Sequence, residues 1–385
     1  MALSERTFYE FFAGGGMARA GLGPSWRCLF ANDFDHKKGA AYQANWGDGE
    51  MRVVDVRTLQ ADDVPGRADL AWASFPCQDL SLAGGGAGLK GERSGTFYPF
   101  WALIDALADD GRAPSIVALE NVNGTLTSHG GKDFAAIGET FVRAGYRFGA
   151  VVIDAALFVP QSRPRLFVIG VRADLDLPDG MATDTPSLLW HPKGLRAAYG
   201  KLPARARRAW VWWNFPAPAM RNTVFADLIE EDATVATWHS PEETARILAT
   251  MTPVNREKVA EAERAGRRVV GSVYRRTRKD EHGVKRVRAE VRFDDVSGCL
   301  RTPAGGSSRQ VIMIVDGAHV RTRLITARET ARLMGLPDDY VLPKNYNEAY
   351  HLTGDGVAVP VVRHLAANLI EPILDALKVD SRQAA

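Results

Sequence analysis

Along the first 170 positions, short apolar runs alternate with longer stretches of helical period. Thr7–Phe12, Arg27–Ala31, Leu70–Ser74, Ile116–Leu119 and Leu166–Val171 are four to six residues long and rich in β-branched or aromatic side chains, as buried strands are. Between them, Phe97–Leu107 and Asp133–Ala144 repeat apolar positions at helical spacing. This alternation predicts an α/β fold with a parallel sheet covered by helices.

The pattern changes near Asp174. Asp176 to Gly180 is turn-rich, and an uneven stretch follows with Pro203, Pro216, Pro218 and the cluster Trp210, Trp212 and Trp213. Those tryptophans are expected to form the core of a smaller domain. Ser272–Arg278 and Val284–Phe293 read as one hairpin, and Val311–Val315 with His319–Arg323 as another turning at Asp316-Gly317. Helical pattern resumes at Thr326–Met334, and an amphipathic helix spans about Val359 to Leu377. There is no internal repeat. The expected organisation is one α/β domain from residues 1–173 and 319–385, interrupted by a mixed domain at 174–318.

Composition narrows the function classes. Apolar residues are 46% and charged residues 24% of the 385, as in ordinary globular proteins. No apolar run of membrane-spanning length is evident, and the N-terminus lacks the features of a secretory signal, so a cytoplasmic protein without membrane association is expected. Three cysteines, Cys28, Cys77 and Cys299, are too few for a disulfide framework or a four-thiolate zinc site, and no metal is expected. The net charge is only +2, yet Arg264 to Arg292 carries eleven Lys or Arg against three acids. Such a local excess fits a nucleic-acid face on a near-neutral enzyme.

Phe12-Ala13-Gly14-Gly15-Gly16 follows the first strand, where glycines let the backbone approach a cofactor. Asp33 ends the next strand, suited to ribose hydroxyls; Phe34 is placed to stack on adenine, and Asp55 to meet its amino group. A dinucleotide fingerprint requires a third glycine at position 19, which is Arg19, so a nucleoside without pyrophosphate fits better than NAD. Phe75-Pro76-Cys77-Gln78 lies just beyond the Leu70–Ser74 strand, and Glu120-Asn121-Val122 ends the Ile116–Leu119 strand. Open α/β sheets bind ligands at such strand ends, so a thiol and a carboxylic acid are delivered to one crevice.

These segments, with Gln161-Ser162-Arg163-Pro164-Arg165, Arg323 to Tyr340 and Gly354 to Pro360, form six ordered motifs. The set resembles the DNA cytosine-5 methyltransferase family, of bacterial restriction–modification type, over residues 7–172 and 320–377. The resemblance implies a Rossmann-like S-adenosylmethionine-dependent fold with an inserted target-recognition domain. It implies methyl transfer to C5 of a cytosine rotated out of duplex DNA, through a covalent bond between Cys77 and C6. Glu120 would hold N3 and the exocyclic amine, Arg165 the O2 carbonyl, and Arg163 would lie close to the nucleophile and the DNA backbone. Phe12, Gly14, Gly16, Asp33, Phe34, Asp55, Val56, Phe97, Asp355 and Val357 are the implied cofactor contacts.

For DNA, the resemblance points to Gln78, Ser81 and Arg93 near the nucleophile, and to Arg275, Arg276, Arg278, Arg288, Arg301 and Arg309 in the insertion. Most of the latter would meet phosphates, and some would read guanine edges. A monomer acting on double-stranded DNA, with a cognate restriction endonuclease acting separately or absent, is the expected biology. Glu10, Met17 and Asp355 depart from the family, which usually has aspartate, glycine and asparagine there. Four alternatives are weighed. An RNA (tRNA) cytosine-5 methyltransferase uses the same catalytic set. A zinc deaminase needs a cysteine at position 80, which is Leu80. Arg19 disfavours a nicotinamide oxidoreductase, and a non-catalytic DNA-binding module does not need Cys77, Glu120 and Arg165 together.

Overall fold

A computed structural model of the chain describes residues 5–76, 88–91, 94–230, 236–279, 282–301 and 309–383. Cys77, Gln78, Ser81 and Arg93 lie outside the described residues, as do residues 302–308 of the glycine-rich stretch. The chain forms two compact units. One comprises Met1–Asp154, Pro164–Ala219 and Val357–Ala385; the other comprises Ala155–Arg163 and Met220–Gly356.

The first unit is built on strands β1 (Arg6–Phe11), β2 (Trp26–Asp33), β3 (Met51–Val53), β4 (Leu70–Ala73), β5 (Ile116–Val122), β6 (Tyr146–Asp154) and β7 (Pro164–Arg172). Their order in the sheet is β3-β2-β1-β4-β5-β7-β6. All four residues of β4 are buried, which is why its sequence is a continuous apolar run rather than an alternating one. The expected parallel sheet has one exception, since β7 runs antiparallel to both β5 and β6. Only residues 155–163 connect β6 to β7, too few for the crossover helix that a parallel pair requires.

Helices α1 (Met17–Leu22), α2 (His36–Trp46), α3 (Phe97–Asp109) and α4 (Lys132–Arg143) join these strands. On α3, Phe97, Phe100, Trp101, Ile104 and Leu107 are buried, a stripe at three- and four-residue spacing. Phe134, Ile137, Gly138 and Phe141 form the equivalent stripe on α4. Asp35 caps α2 by accepting the N–H groups of Lys37 and Lys38 at 2.8 and 3.3 Å.

Residues 174–219 extend the first unit rather than opening the insertion. The Phe148 N–H donates to the Ala209 carbonyl at 2.9 Å and the Val211 N–H to the Phe148 carbonyl at 2.7 Å, so this segment adds along the edge of β6. Trp210 packs edge-on to Phe148 at 5.3 Å, and buried Trp213 donates Nε1 to the Ile169 carbonyl at 3.2 Å. Trp210 and Trp213 therefore pack on the large sheet, not in the smaller unit as expected. The helical run Tyr346–Leu377 has the length and hydropathy to cross a membrane, but 56% of that window is buried. Within it, Val361, Val362, Leu365, Leu369, Ile370 and Ile373 are buried, and a π-helical turn at Ala366–Ile370 interrupts the single helix expected there.

The second unit holds β10 (Val269–Lys279), β11 (Lys285–Arg292), β12 (Val311–Asp316) and β13 (His319–Leu324), all antiparallel, after a two-residue pair β8 (Ala182–Thr183) and β9 (Trp212–Trp213) in the first. Its helices Pro241–Ala249 and Pro253–Arg264 contribute to a core of Val259, Ala262, Val273, Ala289, Val291, Val311, Met313 and Val315. Because β13 pairs with β12 along its whole length, residues 319–324 stay with this sheet. Arg323 and Glu329, both buried and 2.6 Å apart, fasten the following helix to it. The second unit thus runs to Gly356, beyond the boundary at 318 drawn from the sequence.

Candidate active site

The carboxyl ends of β4 and β5 lie beside the amino end of the antiparallel β7, and together these ends carry Glu120, Asn121 and Arg165. In the β5–β7 register Glu120 faces Phe167 and Val122 faces Arg165, which makes Glu120 and Arg165 diagonal neighbours on one face. Arg165 Nε lies 3.1 Å from Glu120 Oε1, with only 15% and 7% of the two side chains exposed. A carboxylate and a guanidinium so placed present a hydrogen-bonding edge and a fixed positive charge at the strand ends. Such a buried pair is a poor source of net stability, because desolvation offsets the attraction, but removing one partner strands the other.

Asn121, the next residue, was not singled out by sequence reasoning although it sits inside the Glu-Asn-Val motif. It is buried, and its Nδ2 donates to the Phe75 carbonyl at 3.0 Å. Its Oδ1 accepts from the Val122 N–H at 2.8 Å and from Thr125 Oγ1 at 3.1 Å. Asn121 therefore fixes the chain two residues before Cys77 against the end of β5.

On the other side of β4, the glycine turn has the backbone its composition demands. Gly14 and Gly16 take φ of +56° and +76°, and Phe12 takes +56° as well. A Cβ on Gly16 would come within 2.3 Å of Trp46 Nε1, whereas among the described residues nothing lies within 4 Å of a Cβ on Gly14. Among the described residues, the space beside Gly14 is open to a ligand. Asp33 is buried and braces the turn: its Oδ2 accepts the Gly14 N–H at 2.8 Å and its Oδ1 the Asp35 N–H at 2.9 Å. Burial raises its carboxyl above the usual range, against the pull of Lys38 and those N–H groups.

Phe34 is 66% exposed, an unusual position for a large aromatic side chain and one available for stacking. Asp55 caps a short turn by accepting the Arg57 N–H at 2.9 Å, and it pairs with the Arg57 side chain at 3.2 Å. Val56 and Val357 are buried in the first unit. Phe97 is fully buried between Phe75 and Trp101 and presents no exposed ring face. Asp355 ends the helix Tyr346–Asp355 of the second unit and is exposed.

Beneath the turn, Glu10 is buried with Oε1 accepting the Arg19 N–H at 3.4 Å, while Oε2 has no hydrogen-bond partner among the described residues. Burial pushes its carboxyl up to about 8, with the Arg19 N–H and guanidinium acting in the opposite sense. Arg19 Nη1 donates to Tyr42 Oη at 3.0 Å, and its guanidinium lies over the Trp46 ring at 5.1 Å. Trp46 in turn donates to the Gly15 carbonyl at 3.1 Å. A side chain thus fills the position where a dinucleotide fingerprint has bare glycine.

In the second unit, Arg163 is buried and its guanidinium is occupied by backbone. Nη2 donates to the carbonyls of Gly354 and Gly356, each at 2.7 Å, and Nη1 to that of Leu300 at 3.1 Å. Cys299 Sγ lies 3.4 Å from Nη1. These contacts clamp the end of the helix Tyr346–Asp355 to residues 299–300. The expected DNA contacts separate by face. Arg276, Arg278 and Arg288 lie on the face of β10–β11 opposite the helices, while Arg275, paired with Ala289, lies on the helix side. Arg301 is exposed, and Arg309 stacks on Tyr346 at 5.6 Å and donates to Asn347.

Residues 6–371 match the family described as C-5 cytosine-specific DNA methylase. The chain is 25% identical over 352 residues to Type II methyltransferase M.Bsp6I of Bacillus sp. (strain RFL6), spanning 90% of this chain and 92% of that one. It is 24% identical over 368 residues to Type II methyltransferase M.HhaI of Haemophilus parahaemolyticus, spanning 94% and 93%. The structure of S. pombe Dnmt2 methyltransferase shares the fold with a TM-score of 0.60 at 17% identity, over 97% of this chain and 99% of that one. That of Entamoeba histolytica methyltransferase EhMeth does so with a TM-score of 0.63 at 13% identity, over the same shares. The chain belongs to the C-5 cytosine-specific DNA methylase family, and the α/β fold expected from the sequence is the fold it has. It is a DNA (cytosine-5-)-methyltransferase.

Proposed function

We propose that the chain methylates C5 of one cytosine within a specific duplex sequence, using S-adenosylmethionine, with Cys77 as a covalent nucleophile. The observation that carries this reading is the Glu120–Arg165 pair at 3.1 Å, beside a Phe75 carbonyl held by Asn121 two residues before Cys77.

Bound S-adenosylmethionine supplies an electrophilic methyl group. The open space beside Gly14, exposed Phe34 and Asp33 suit its methionine, adenine and ribose parts respectively. Because C6 is inaccessible in a stacked duplex, the cytosine must rotate out, at a cost of roughly a few kcal/mol. The Cys77 thiolate would then add to C6, and the electrons displaced toward C5 would take the methyl group as its bond to the donor sulfur breaks, leaving S-adenosylhomocysteine. Glu120 holds N3 and the amino group while Arg165 balances negative charge developing at O2. Loss of the C5 proton, to water, and elimination of Cys77 would restore the aromatic base and the Cys77 thiolate.

The second unit supplies target recognition in this reading, with the β10–β11 arginines against DNA. Arg163 acts by positioning residues 299–300 and 354–356 rather than by touching the base. The Type II relatives support a role in restriction–modification; in this reading the chain is a cytoplasmic monomer, and any cognate endonuclease acts separately. Transfer of labelled methyl groups to duplex DNA and to tRNA, run side by side, tests the substrate class. Label confined to 5-methylcytosine in DNA is expected, and label in tRNA alone would favour an RNA enzyme.

A further inference from the structure

Strands β10 and β11 together carry eight basic residues and a single acid, Glu290. Their register pairs Tyr274 with Glu290, Arg276 with Arg288 and Arg278 with Arg286. Opposite residues of an antiparallel pair share a face, so these four arginines, with Arg292 opposite Ser272, and one carboxylate occupy the face turned away from the helices. Arg278 Nε donates to Glu290 Oε1 at 3.0 Å, and Arg276 Nε lies 3.6 Å from Oε2. Arg276 also lies over the Tyr274 ring at 4.7 Å, which fixes the direction of its guanidinium. The Glu290 side chain is 27% exposed, less than either arginine that it joins.

One carboxylate bridging two guanidiniums offers two oxygens in the way that a DNA phosphate does. We propose that Glu290 is a specificity-determining residue: an internal phosphate mimic that withholds Arg276 and Arg278 from the backbone of non-target DNA. The inference rests on the reading of the second unit as the DNA-binding one. In a loose complex with arbitrary sequence, a phosphate approaching these arginines meets the Glu290 charge and gains little by replacing it. At the target, closer docking driven by base contacts makes the exchange worthwhile, and the two arginines then join the interface. Discrimination arises because the carboxylate lowers affinity for arbitrary sequence more than affinity for the target.

The test measures binding of the native chain and of Glu290→Gln to a duplex of arbitrary sequence across a salt series, with target methylation followed in parallel. Glu290→Gln is expected to bind arbitrary duplex about five- to tenfold more tightly at low salt. Its dependence of log affinity on log salt should steepen by about one to two units, one for each phosphate gained. Methylation at mismatched sites should rise relative to the target. Glu290→Ala must behave likewise, and Arg276→Ala/Arg278→Ala in the Gln background must abolish the gain. Unchanged or weaker binding by both Glu290 variants, with an unchanged salt slope, overturns the proposal. If the native chain binds no duplex at any salt, the reading of the second unit fails first and the proposal falls with it.

Discussion

Glu120 Oε1 and Arg165 Nε meet at 3.1 Å because two antiparallel strands place them diagonally across one face. Neither side chain has much water around it, so each depends on the other. Glu120→Gln keeps the shape and removes the charge and the exchangeable proton. It is expected to retain duplex binding within about threefold while methylation slows by roughly 10²- to 10⁴-fold, the range for losing a general acid. Single-turnover rates at saturating DNA check this; an unchanged rate would contradict the role of Glu120.

Asn121 tests positioning rather than chemistry. Asn121→Ala removes the support of the Phe75 carbonyl and leaves it buried without its donor, at a cost of about 1–3 kcal/mol in stability. The expected kinetic signature is a lower rate of methylation with little change in cofactor affinity. Urea denaturation and equilibrium cofactor binding separate the two effects. A rate equal to the native one would show that Phe75 needs no such anchor.

Gly14 and Gly16 share a left-handed backbone but differ in their surroundings. Gly14→Ala adds strain of about 1–2 kcal/mol with no clash among the described residues. It should fold, yet bind S-adenosylmethionine at least tenfold more weakly because its methyl enters the ligand space. Gly16→Ala meets Trp46 as well and should be the less stable of the two by about 1–3 kcal/mol. Calorimetric binding and thermal unfolding of the pair provide the check.

Glu10 gives the stability a sign with pH. Its carboxyl titrates near 8 when folded, well above its ordinary value of 4.5. Below 4.5 both folded and unfolded chains hold the proton, and no difference arises. Between 4.5 and about 8 only the folded chain holds it, so this group lowers stability as pH rises, by on the order of 1 kcal/mol per pH unit. Above 8 the loss levels off. Glu10→Gln mimics the protonated form and should gain stability over the native chain progressively from pH 5 to pH 8. A difference independent of pH across that window would refute the assignment.

What could be read from sequence was what local pattern encodes. Buried strands announce themselves as apolar runs, and Glu120 stands at the end of one. Asn121 escaped because its partner is a backbone carbonyl 46 positions away, which leaves no pattern in the sequence. Arg163 was legible as a motif residue but not as a clamp, since its acceptors lie between 137 and 193 positions further along. The unit boundary near 219 was hidden for a related reason. An irregular segment joins β6 at its edge through three backbone hydrogen bonds, without the composition of a strand. The pairing that isolates Glu290 among arginines follows from a register that only the folded hairpin defines.

In the proposed function, a covalent bond joins Cys77 to C6 of the target cytosine. It is tested most directly with duplex DNA carrying 5-fluorocytosine at the methylated position, where fluorine cannot leave as the proton does. With S-adenosylmethionine, the native chain is expected to form a complex that survives denaturing electrophoresis, and Cys77→Ala to form none. An equally abundant complex from Cys77→Ala would contradict the account.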